Sequence, residues 1–139
     1  DPFIYVGRQL EPRVVVFGEA RIRPPLLLDT SRFLASAAEG ATRLVTMNKR
    51  YGPRCCLETP LDVGSIVAAL AGPLGATEED PRPKGLDLSY SDVVGFLDSA
   101  ARSGALATPI VFEPMRALGV PAAPEAPGGR QTDIVLPGR

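Results

Sequence analysis

The chemistry-bearing side chains of this chain stand apart from one another. Ser31, Ser65, Ser89, Ser91 and Ser103 have no imidazole to activate them, because the sequence contains no histidine. No GxSxG surrounds any of them. Ser89 and Ser91 sit where a helix begins and read as caps. The two cysteines, Cys55 and Cys56, are adjacent. Neighbours on a strand point to opposite faces, so they cannot easily bond each other. Without a CxxC motif or a second cluster they read as buried structural thiols, with a reactive or intermolecular thiol as the alternative.

The acids are no better arranged. Glu78, Glu79 and Asp80 form a charge run in a proline-rich loop and read as solvated. Calcium would want alternating oxygens and a glycine bend, a pattern absent here. Asp92 and Asp98 are not placed as the two converging carboxyls that a histidine-free enzyme would need. Gly18 and Gly40 stand alone, without a GxGxxG motif or a P-loop. The expectation is a non-enzymatic chain with no catalytic residue, no cofactor and no metal.

What remains is charge that suits contacts. Arg21 and Arg23 flank Ile22, and Arg50 and Arg54 flank the turn between two strands. As solvated strand edges they would do nothing. As an interface rim they would meet the acidic loop Glu78, Glu79 and Asp80 of a neighbouring copy. Lys49 and Lys84 are the only lysines among 15 cations. That skew fits planar, bidentate pairing at interfaces, or simply a coding bias toward Arg, Ala, Gly and Pro.

With 16 acids the net charge is −1, which gives no electrostatic drive toward nucleic acid or anionic membranes. Two helices before a strand can imitate a winged helix. The second one offers only Arg102 against Asp92 and Asp98, so nucleic acid is not an expected partner. The longest apolar run, 63–74, is too short to span a bilayer. The chain opens on Asp1 without an initiator Met, as either a processed form or part of something longer would.

The elements that must carry these residues are short. At 139 residues the chain is one domain that can bury a core without disulfides. Residues 1–12 are expected as an N-terminal extension whose Phe3–Val6 stretch could add an edge strand. Arg13–Phe17, Leu26–Leu28, Arg43–Met47 and Arg54–Thr59 read as strands of one small, mostly antiparallel sheet. In Thr30–Gly40 the alanines and a Thr30/Ser31 cap argue for a helix and the short spacing for a hairpin; the reading taken is a strand near Arg32–Ala37. Then the period changes. Asp62 caps a helix with Val63, Ile66, Val67 and Leu70 on one face, stopped at Gly72-Pro73. Residues 73–88 read as a surface loop. Ser89 and Asp92 start a second helix with Val93, Val94, Leu97, Ala100 and Ala101 on its face, ending at Gly104.

Leu106–Phe112 reads as an edge strand containing Pro109. Residues 114–139, rich in Pro, Ala and Gly, read as an extended tail. Its apolar patch, Ile134, Val135 and Leu136, could pair onto another surface as a strand. The whole is an α+β domain over 13–113, with two helices packed on one face of the sheet.

Residues 62–113 also resemble a known unit. Asp62–Leu70 followed by Leu74-Gly75-Ala76-Thr77, then Asp92–Leu97 running to Gly104-Ala105-Leu106 and an apolar strand, look like the C-terminal helix–helix–strand of flagellar basal-body P-ring proteins. One difference is an insertion, EEDPRPKGLDLSY, between "LGAT" and Asp92. The resemblance implies a ring-forming structural protein of the periplasm or cell envelope, without an active site. The expected function is therefore an assembly domain making subunit contacts, as a homo-oligomer or within a larger complex. The alternatives are a small-ligand or peptide-binding regulatory module and, for location, the cytoplasm.

Overall fold

The computed structural model describes residues 2–7, 13–112 and 131–135, with backbone only at 54, 112 and 131–135. Within them the chain is α+β, and its strands divide between two four-stranded sheets rather than forming one. The first sheet comprises β1 (Phe3–Gly7), β2 (Arg13–Phe17), β7 (Ile110–Phe112) and β8 (Gln131–Val135), in the order β7-β1-β2-β8. The second is a meander of β3 (Leu26–Asp29), β4 (Phe33–Ala37), β5 (Arg43–Asn48) and β6 (Cys56–Pro60). The helices are α1 (Val63–Ala71) and α2 (Tyr90–Arg102).

The break between the sheets is local. Gly18 has φ +79, and a Cβ there would lie 2.9 Å from that of Pro2. An L side chain is therefore excluded twice at the point where the chain leaves β2. The segment Ala20–Arg23 then ties the two helices. Val63 N–H donates to the Ala20 carbonyl, Ile22 N–H to Leu61, and Arg23 N–H to Ala105.

Two expected boundaries move. The N-terminal extension is not outside the domain, because β1 lies between β2 and β7, with Ile4 and Val6 fully buried. Alternation puts those two on the core side, and burying them is what recruits the strand. Likewise β8, in the expected tail, pairs with β2 with Ile134 opposite Val14 and Val135 opposite Arg13. These two residues thus add a strand to their own chain's sheet; Leu136 lies outside the described residues.

One contiguous core takes side chains from the inner faces of both sheets and the buried faces of both helices. Val14, Val16, Ile66, Val67, Leu70, Leu97 and Leu106 belong to it. Val45, Leu57 and Val94 are only half-buried, and Val111 on the edge strand β7 is 42% exposed. Val15 and Phe17 face the opposite side of the first sheet, beside Tyr5, with Phe3 stacked on Phe17 at 4.5 Å. The loop 73–88 is not wholly on the surface either. Leu86 and Leu88 are buried, their N–H groups donating to the Ala69 and Leu70 carbonyls. Asn48 Nδ2 donates to the Leu86 carbonyl at 2.7 Å. The backbone polar groups of that stretch can be buried because α1 and β5 satisfy them.

Candidate interaction surface

The helices lie on the core side of the second sheet and, among the described residues, leave its other face open. Strand alternation decides what that face carries. Leu26, Phe33, Ala35, Ala37, Leu44 and Thr46 point inward and are buried. Leu27, Leu34, Val45, Met47 and Cys56 point outward. The register sets Leu34 opposite Met47, and Met47 opposite Cys56. Leu27 is 70% exposed, Cys56 is exposed, and the other three are half-buried. Arg43, Glu58 and an Asp29–Lys49 ion pair border this apolar strip.

The two thiols differ, which corrects the expectation that both are buried. Cys55 ends the 3₁₀ turn Gly52–Arg54 and is 4% exposed, whereas Cys56 begins β6 on the open face. Burial pushes the Cys55 thiol pKa up. In the native protein a water-soluble disulfide reagent should therefore titrate Cys56 within minutes and leave Cys55 unmodified until denaturant is added. Two thiols reacting at one rate would contradict this placement.

The predicted charges do not converge. Arg21 and Arg23 are exposed on the connector that ties the helices. Arg50 stands in the β5–β6 turn with its guanidinium 5.6 Å from the Tyr51 ring centroid. The backbone of Arg54 closes the same turn. Glu78 and Glu79 are exposed. Asp80 is satisfied inside its own loop by Lys84 and by Arg82 at 3.2 Å. The Lys84 and Arg82 donors hold its carboxyl down at about 2. An acid already matched in this way contributes little to a partner's arginine.

Sequence reasoning did not single out a polar cleft of about 720 Å³ where β4, the β5–β6 turn and the N-terminus of α2 meet. Its walls include Arg32, Lys49, Arg50, Asp87, Ser91 and Asp92. Arg32 Nε lies 2.9 Å from the Asp92 carboxylate, and Lys49 pairs with Asp29. Asp92 is 7% exposed and closes a capping box with Ser89, whose hydroxyl donates to it at 3.0 Å. Only the capping half of this site had a local signal; Arg32 is 60 residues away in sequence. Among the described residues no group of three or more cysteines and acids could hold a metal ion, and no helix is long and apolar enough to cross a membrane.

Comparison of the chain with protein-family models, curated proteins and solved structures found no match.

Proposed function

We propose that this chain is a non-enzymatic assembly domain, making subunit contacts in a larger complex of the ring-forming, cell-envelope type. The observation that carries the reading is the open face of the second sheet. Leu27, Leu34, Val45 and Met47 lie there, with Ser36 between Leu27 and Val45 and charge at the border. An exposed, mostly apolar patch with a polar border is the usual character of a protein contact. The resemblance of residues 62–113 to P-ring proteins supports the same reading. Sedimentation and light scattering over a concentration series, with negative-stain imaging, should give particles larger than one chain. A monodisperse monomer that captures no partner overturns the proposal.

A small-ligand or peptide-binding module is the second reading, and the cleft at the start of α2 is what favours it. Small-molecule sites are mostly apolar with few convergent polar groups. This cleft is lined largely by charged and hydroxyl side chains, with Arg32 and Lys49 already matched by acids. The assembly reading therefore ranks first.

A further inference from the structure

We infer that two copies of this chain pair through the free edge of β3, antiparallel, with Leu27 of one opposite Asp29 of the other. The inference rests on the assembly reading above and names the contact and the occupant.

The ladder of the second sheet identifies which backbone groups are free. Thr30 N–H donates to the Phe33 carbonyl at 2.9 Å, closing the β3–β4 hairpin. Antiparallel ladders alternate bonded and non-bonded pairs. With the observed register, Leu28 opposite Ala35 and Leu26 opposite Ala37 are then the bonded pairs. The other side of β4 agrees. Lys49 N–H donates to the Arg32 carbonyl, which assigns Leu34 and Ser36 to β5 and leaves Ala35 and Ala37 for β3. The N–H and C=O of Leu27 and of Asp29 consequently point off the sheet.

The opposite edge of this sheet is defended. On β6 the same alternation frees Cys56, Glu58 and Pro60, starting from the bond of Asn48 N–H to the Cys55 carbonyl. Pro60 has no N–H to give. Arg43 Nη2 already donates to the Glu58 carbonyl at 3.4 Å. β3 is preceded by Pro25 and ends on Asp29, but its middle free residue, Leu27, keeps both N–H and C=O available and its outward side chain is 70% exposed. A strand edge with unpaired groups and an apolar side chain is a template for another strand.

Among the two-fold registers that a second copy could adopt on this edge, one matches its free groups. Two-fold pairing of Leu27 with Asp29 brings free groups against free groups in both symmetric pairs. Setting Leu27 against itself would bring Asp29 opposite Pro25, which lacks a donor. Setting Asp29 against itself would place like charges face to face. Only the Leu27–Asp29 register avoids both, and it joins the apolar strips of the two copies into one surface.

Sedimentation velocity on the full chain tests this, with three variants. Leu27→Pro removes an edge N–H that β4 does not use, and should weaken association about tenfold or more at unchanged circular dichroism. Leu27→Asp should weaken it similarly by facing Asp29 of the other copy. Leu27→Lys, which loses the same apolar surface but faces a carboxylate that Lys49 already pairs, should weaken it clearly less than Leu27→Asp. Equal losses for Asp and Lys would overturn the register. Association that survives Leu27→Pro but is lost in Val45→Lys would overturn edge pairing while keeping the assembly reading through the open face. A wild-type chain that stays monomeric yet captures a partner overturns the inference alone; one that does neither overturns both.

Discussion

Replacing Phe96 by Ala should lower stability by about 3–5 kcal/mol, the largest loss expected from a single truncation in this chain. Phe96 is fully buried and heads the set of large, completely enclosed side chains. It reaches from α2 toward β4, its ring 6.5 Å from that of Phe33 at an interplanar angle of 57°. Truncation therefore empties the seam between helix and second sheet. It removes both transfer free energy and an aromatic contact. Domains of this size hold roughly 5–15 kcal/mol in total, so the melting temperature should fall by about 10 °C or more. Val94→Ala is the internal control. Val94 is only half-buried on the same helix and should cost under about 1.5 kcal/mol. Equal costs at 94 and 96 would mean that α2 is rotated from its observed face.

That control also marks where sequence reading stopped. The expected stripe Val93, Val94, Leu97, Ala100 and Ala101 is a valid helical face, but the buried apolar one is Val93, Phe96, Leu97 and Ala100, which gains Phe96 and leaves out Val94 and Ala101. Both have helical spacing. A second layer, here β4 with Phe33, is what selects between them. Local punctuation was legible throughout. Asp62 accepts from Ser65 N–H at 2.9 Å, and Ser89 and Asp92 cap α2 as their spacing predicts. Turns at Ala38–Ala41 and 49–54 fall where Gly and Pro place them.

Non-local pairing was not legible. Nothing near Phe3 announces that β7 will lie parallel beside β1, or that β8 will return to β2. Such contacts depend on which edges remain after the meander closes. The same limit hid the open face. Leu34, Val45 and Met47 read as ordinary strand hydrophobics until the helices are seen to occupy the other side of the sheet.

Substituting Asp92 by Ala should cost about 2–3 kcal/mol, and the loss should come from capping rather than from the ion pair. The carboxylate accepts from the Ser89 hydroxyl at 3.0 Å, from Ser89 N–H at 3.4 Å and from Arg32 Nε at 3.1 Å. Arg32 is 68% exposed on its side chain, so its charge can return to water at little cost. The Ser89 donors cannot, since Ser89 is buried. Removing their acceptor leaves them unsatisfied and strips the first turn of α2 of its only acid.

Three variants separate these contributions. Arg32→Ala should cost under about 1 kcal/mol in urea unfolding. Asp92→Asn, which keeps an acceptor but not the charge, should fall between Arg32→Ala and Asp92→Ala. Asp98→Ala, which breaks only the exposed pair with Arg102 at 3.0 Å, should cost about 0.5 kcal/mol or less. If Arg32→Ala were as damaging as Asp92→Ala, the salt bridge across the cleft would be the structural element. The cleft would then have to be treated as rigid scaffolding. The expected ordering makes it instead a by-product of where α2 begins. The buried acid beside the cleft is then explained by the Ser89 N–H and hydroxyl groups that donate to it.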